Sequence, residues 1–341
     1  MGRVIGFGLF ALFFAQLALP LGAFTTPADG SFDELFKLVY TNAEAVICLD
    51  MNKVYESGWY ERIRDISETA GMSSERTTPT KDGKAIVFVW NLIGQPQFLG
   101  LCYWKDSDNI DALFEQEESR LKSSVHRVTL EKIEVDGAPG FKIESPDIAE
   151  AINFVQMAPD WFVIGNSEQV MASYMEWPAR KLGISPAMAK ILDHYKGKAI
   201  FGTIMLPKKQ AGEVISRVDF MLDLSDNAMS FEMVMVCSGN KAAVKLEKLL
   251  NRRLPLILAV NDRKMPGISE LVADSLRIST YGEKITVAVR FTEDQVVELG
   301  GIIMKYRKEL LKRRQAMEAS ESETESATSV ESEPALESAG K

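Results

Sequence analysis

Apolar and polar residues alternate along the chain in two periods, one of about 3.6 residues and one of two, which mark helices and half-buried strands. Ser31–Thr41 places Phe32, Leu35, Phe36, Val39 and Tyr40 on one helical face, and Ala45–Leu49 reads as a short strand. Residues 54–70 read as helix. Ala85–Leu92 and Gln97–Trp104 are predicted to pair across Gly94-Gln95-Pro96. A helix opening at Ser107 or Asp108 follows, burying Ile110, Leu113, Phe114 and Leu121. Val125–Val135 and Gly140–Glu144 form the next pair, turning at Asp136-Gly137, a dipeptide that tolerates the positive φ of a tight hairpin. Ile152–Met157, Trp161–Ile164 and a helix over Ser167–Trp177 complete this half.

The order then recurs. A helix over 185–195 leads to the strand Ala199–Met205. Val218–Leu224 and Met229–Cys237 pair around Ser225-Asp226-Asn227, and a helix spans Asn240–Leu250. Leu276–Thr280 and Ile285–Phe291 pair around Tyr281-Gly282. A last helix starts at Thr292, whose T-E-D-Q reads as a reciprocal capping box. Glu44-Ala45-Val46-Ile47 resembles Lys198-Ala199-Ile200-Phe201, and Ser167-Glu168-Gln169-Val170 resembles the start at Thr292. The expected fold is therefore α+β: two similar halves, 24–180 and 181–315, each a largely antiparallel sheet covered by helices. Gly/Pro turns between neighbouring strands favour meanders over parallel crossovers.

Both ends depart from this pattern. Arg3 precedes an almost unbroken apolar stretch, Val4–Leu19, and Pro20-Leu21-Gly22-Ala23 offers small residues for cleavage near Ala23. Residues 1–23 thus read as a signal peptide for export to the periplasm or beyond; the alternative is an uncleaved anchor, against which stand Gln16 and Pro20. The mature form is not expected to span a membrane. Residues 316–341 carry seven Glu against one Lys and no aromatic residue, the composition of a disordered acidic tail.

The chain has 341 residues and a formal net charge of −9, which argues against a nucleic-acid partner, since that role needs a basic face. Two histidines leave little material for a His-based metal site. Cys48, Cys102 and Cys237 lie in apolar strands and read either as buried thiols or as one disulfide and a leftover.

Several local patterns imitate chemistry. Ser119-Arg120-Leu121-Lys122 followed by Ser225-Asp226-Asn227 has the S-x-x-K and S-D-N order of the penicillin-recognising serine enzymes. No Lys-Thr-Gly follows, and both stretches read as a helix end and a turn. Asp106-Ser107-Asp108-Asn109-Ile110-Asp111 has calcium-loop spacing but puts Ile at the fifth position, so helix capping accounts for it. Glu115, Glu117 and Glu118 read as a solvated helix face. His126 and His194 have no sequence neighbours that complete a ligand set. The basic run from Lys305 to Arg314 suits a membrane surface or a pairing with the acidic tail.

Tryptophans and tyrosines crowd the first half, and Trp59, Trp90, Trp104 and Trp161 are the candidate aromatic surface for a sugar or peptide. No catalytic, cofactor-binding or metal-binding residue is assigned.

The leader, the recurring strand–helix–hairpin order and the polar tail together resemble a type of secreted bacterial protein of uncharacterised role. That resemblance implies secretion and an α+β fold and transfers no catalytic residue. The function expected is an exported, non-enzymatic interaction or scaffold protein with a protein or envelope component as partner. The alternative is a small-ligand or glycan binder using the cleft between halves, and a third is a hydrolase whose site forms only in three dimensions.

Overall fold

The computed structural model describes residues 31–59, 61–62, 65, 83–92, 96–104, 109–122, 128–144, 151–175, 183–206, 214–225, 227–263 and 265–303, with 305, 306, 309 and 312. Helix α1 (Phe32–Lys37) is opened by Ser31, whose hydroxyl accepts from the Glu34 N–H. Strand β1 (Ala45–Asp50) ends where Asp50 turns to cap α2 (Met51–Glu56), its carboxylate accepting from the Asn52 N–H at 3.1 Å. The hairpin β2 (Gly83–Trp90) and β3 (Gln97–Trp104) pairs Trp90 with Gln97. After α3 (Ile110–Lys122) come β4 (Thr129–Val135) and β5 (Ala138–Glu144), then β6 (Ile152–Ala158) and β7 (Trp161–Gly165). The β4–β5 turn is the expected two-residue one, with φ of 51° at Asp136 and 78° at Gly137.

Helices α4 (Glu168–Met175) and α5 (Pro186–Tyr195) lead to β8 (Ile200–Met205) and the long hairpin of β9 (Ile215–Ser225) and β10 (Ala228–Cys237). Two helices follow, α6 (Asn240–Asp262) and α7 (Ile268–Ser275), then β11 (Leu276–Tyr281) and β12 (Lys284–Thr292). The final helix, α8 (293–303), carries the expected capping box: Gln295 accepts from the Thr292 N–H at 3.0 Å, and Thr292 accepts from the Gln295 N–H at 3.4 Å.

The protein is α+β, and the described strands form one antiparallel sheet of 12, in the order β11, β12, β10, β9, β8, β1, β2, β3, β7, β6, β5, β4. Where a separate sheet in each half was expected, β1 and β8 pair from Ala45 opposite Ile204 to Leu49 opposite Ile200. Each is the first strand of its half. Left apart, both would be open edges, and pairing them satisfies both rows of backbone groups. On either side of this seam the connectivity runs alike: three consecutive antiparallel strands, a helical crossing, and a last strand returning beside the third (β7 beside β3, β12 beside β10). The β4–β5 hairpin extends only the first side.

Burial follows the sheet's two faces. One carries Ala85, Phe98, Cys102, Trp104, Phe162 and Phe220 beneath α3 and α6. The other carries Val46, Cys48, Ile86, Phe88, Leu101 and Phe201 beneath α1, α4 and α5. Central strands are apolar on both sides for this reason, as β8 shows with five buried residues in succession. Toward β11 the pattern relaxes to alternating half-buried and exposed positions.

Candidate functional site

Two features of the described surface have the make-up of binding sites: a cleft on the α1/α4 face and the outer face of α6.

The cleft encloses about 390 Å³ and is lined by Tyr40, Asn42, Trp90, Gln97, Gln169, Val170 and Ser173. Trp90 comes from the last position of β2 and Gln97 from the first of β3, so their register pairing places them side by side. Gln169, Val170 and Ser173 recur at helical spacing on α4. The Tyr174 hydroxyl fastens this helix by donating to the Leu38 carbonyl at 2.9 Å. Tyr40 packs edge-on against Trp90, Phe88 and Tyr174, with ring centroids 4.9, 5.4 and 5.4 Å apart. Burial raises its phenol from 10.0 to about 12, so it stays protonated at neutral pH. Two aromatic rings, three amides and one hydroxyl make a neutral wall that can stack on and hydrogen-bond a polyhydroxylated ligand. Among the described residues the lining contains no carboxylate, imidazole or thiol.

The outer face of α6 is different in kind. Ala243, Leu246 and Leu250 bury its inner stripe against the sheet. Its far half, past Pro255, leans on α7. There the Ser269 hydroxyl donates to the Leu258 carbonyl at 2.7 Å, and Asp262 accepts from the N–H groups of Gly267 and Ser269 at 3.0 and 3.2 Å. These contacts leave Leu256 60%, Val260 57% and Ile257 42% exposed, with Leu249 two turns before Leu256 also exposed.

The four candidate tryptophans do not converge. Trp59 is completely buried, and its indole N–H donates to the Ser225 carbonyl at 2.7 Å. Trp104 is 3% exposed and packs on Phe162 on the α3/α6 face. Trp161 is half-buried beside Tyr103, its ring centroid 5.8 Å away. Of the four, Trp90 alone lines the cleft. That cleft lies within the first half, whereas sequence reasoning placed one between the halves. Its other members went unseen because they come from three segments up to 133 positions apart, Tyr40 to Ser173, each with ordinary loop or helix composition.

The imitations of chemistry resolve locally. Ser119 is exposed on α3, and the Ser225 hydroxyl donates to the Ala228 carbonyl at 3.0 Å inside its hairpin turn. Ser107 and Asp108 lie outside the described residues, and Asn109 makes a capping bond, accepting from the Ala112 N–H at 2.9 Å. Glu117, expected on a solvated face, is 2% exposed: it stands four residues beyond Leu113, on the stripe that α3 turns to the sheet. His126 also lies outside the described residues; His194 is exposed in the last turn of α5. The three cysteines are free and buried. Burial lifts each thiol above its usual range, Cys102 to about 12. Among the described residues no group of three His, Cys, Asp or Glu side chains could hold a metal ion, and no helix is long and apolar enough to cross a membrane.

No protein-family model matches the chain, and no curated protein does. Among solved structures it is similar to three crystal forms of the Treponema protein TP0453. Form I is 12% identical with a TM-score of 0.40, covering 80% of this chain and 96% of that one. Form III is 11% identical with a TM-score of 0.41, covering 79% and 97%. Form IV is 9% identical with a TM-score of 0.39, covering 77% and 95%.

Proposed function

We propose that this is an exported, non-catalytic interaction protein whose working surface is the outer face of α6. The observation that carries the reading is the band of Leu249, Leu256, Ile257 and Val260, held in water on a helix whose inner stripe is firmly docked. Exposed apolar area is unfavourable by about 25 cal/mol per Å², and a contiguous band of it marks a surface that is covered in use. Export rests on the leader composition of residues 1–23, with the uncleaved anchor as its alternative. The repeated strand order about the β1–β8 seam supports reading 24–180 and 181–315 as duplicated halves followed by a tail at 316–341.

Fractionating cells that produce the full-length protein tests the reading. The wild type should partition with the cell envelope, and Leu256→Asp with Val260→Asp should move it to the soluble pool while leaving the thermal midpoint unchanged. Equal partitioning of the two proteins would contradict the reading.

A second reading comes from the cleft, whose rings and amides suit a neutral sugar. Titrating saccharides while following tryptophan fluorescence should give a saturable change that Trp90→Ala abolishes. A flat titration over the saccharides tried would remove this reading.

A further inference from the structure

We infer that the surface covering α6 is an anionic phospholipid bilayer, with the helix lying along the headgroup boundary; this rests on the reading of α6 as the working surface.

The first argument is the distribution of charge. The chain as a whole carries −9, yet α6 holds five basic residues (Lys241, Lys245, Lys248, Arg252 and Arg253) against two acidic ones, Glu247 and Asp262. Asp262 is already engaged by the α7 amides. All five basic side chains are exposed, and among the described residues none of them pairs with a carboxylate. Positive charge left unpaired on an otherwise acidic molecule is complementary to an acidic surface.

The second argument is geometry. At about 100° per residue, Leu249, Leu256 and Val260 fall within roughly 40° of one another on a straight helix; Lys245, Arg252 and Arg263 fall about 20–40° beyond one edge of that stripe, and Arg253 about 20° beyond the other. Apolar and basic stripes thus run side by side along the helix. That arrangement lets leucine and valine enter the acyl boundary while the longer basic side chains reach back to phosphate. The apolar band stands on the outer, exposed side of a single helix. A long exposed strip on one helix, with charge along its flanks, fits a deformable planar surface better than a rigid protein pocket, which would ring an apolar centre with a polar rim.

Mixing the full-length protein with sedimenting vesicles tests the inference. One set is phosphatidylcholine alone, the other phosphatidylcholine with phosphatidylglycerol. The protein should bind the anionic set at least about tenfold more strongly, and added salt should weaken the binding, since each basic residue near such a surface contributes about 1 kcal/mol. Arg252→Glu with Arg253→Glu should lower binding by on the order of tenfold or more, and Leu256→Asp with Val260→Asp should abolish it. Circular dichroism melts establish that both variants fold. Equal binding to the two vesicle sets, no binding to either, or variants that bind like the wild type would each overturn the inference. The two readings fail separately. If the apolar variant leaves the cell envelope while the wild type ignores vesicles, α6 remains the working surface and its partner is a protein. If the apolar variant stays with the envelope, both fall.

Discussion

Trp59 adds one side-chain hydrogen bond between the two sides of the molecule. Its ring is fully buried, its indole N–H reaches the Ser225 carbonyl at the β9–β10 turn, and the Arg62 guanidinium sits 5.1 Å from its ring centre. Trp59→Phe keeps most of the apolar volume but leaves that carbonyl without its donor, so stability should fall by about 1–3 kcal/mol in a denaturant titration. An unchanged midpoint would mean water replaces the indole freely. Ionisation acts at the same scale. Burial holds the Cys102 thiol near 12 instead of 9.0 and the Tyr40 phenol near 12 instead of 10.0, and raises Cys48 and Tyr174 as well. These groups stay neutral in the folded state while the unfolded chain ionises. Their contribution to stability is whole below about pH 9 and is lost as pH rises toward about 12. The thermal midpoint should drop steeply over that window, and a thiol reagent should label none of the three cysteines until the protein unfolds.

Elements set by local chemistry were legible in the sequence, and elements set by distant partners were not. The Asp136-Gly137 hairpin, the β2–β3 pair and the Thr292 capping box each depend on residues within a few positions, and all three form where expected. Helix α6 was expected to stop at Leu250, where its inner apolar stripe weakens; it continues through Pro255 to Asp262 because α7 folds back to bond Leu258 and Asp262. Helix α7 was not anticipated, since its eight residues depend on that same docking. The cleft is the strongest case. Trp90 carries an aromatic signal in sequence, but Asn42 and Gln169 acquire meaning only when α4 is laid beside the α1 loop. A further expectation concerns Pro255, which removes one helical hydrogen bond in an exposed stretch. Proline in a helix interior is unfavourable by about 3 kcal/mol relative to alanine, so Pro255→Ala should stabilise the protein by roughly 1–3 kcal/mol. A lower thermal midpoint would show that Pro255 is needed to place α6 on α7.

At the scale of the whole molecule, the β1–β8 seam makes the two sides a single hydrogen-bonded sheet, with Gly202 at its centre. A Cβ added there would stand 2.6 Å from the Val46 carbonyl oxygen and 2.5 Å from the Phe220 ring. Gly202→Val should therefore loosen the seam. The wild type is expected to melt in one calorimetric transition, and the variant at lower temperature or in two. Two transitions in the wild type would mean that the sides fold independently despite their shared ladder.

The central claim is that the outer face of α6 is where the molecule meets its partner. Hydrogen exchange followed by mass spectrometry, on the full-length protein with and without isolated cell-envelope membranes, tests it most directly. The amides of residues 249–262 should become protected when membranes are present, with the rest of the sheet unchanged. Unchanged exchange in that segment, or protection confined to the segments that carry Tyr40, Trp90 and Gln169, would contradict it.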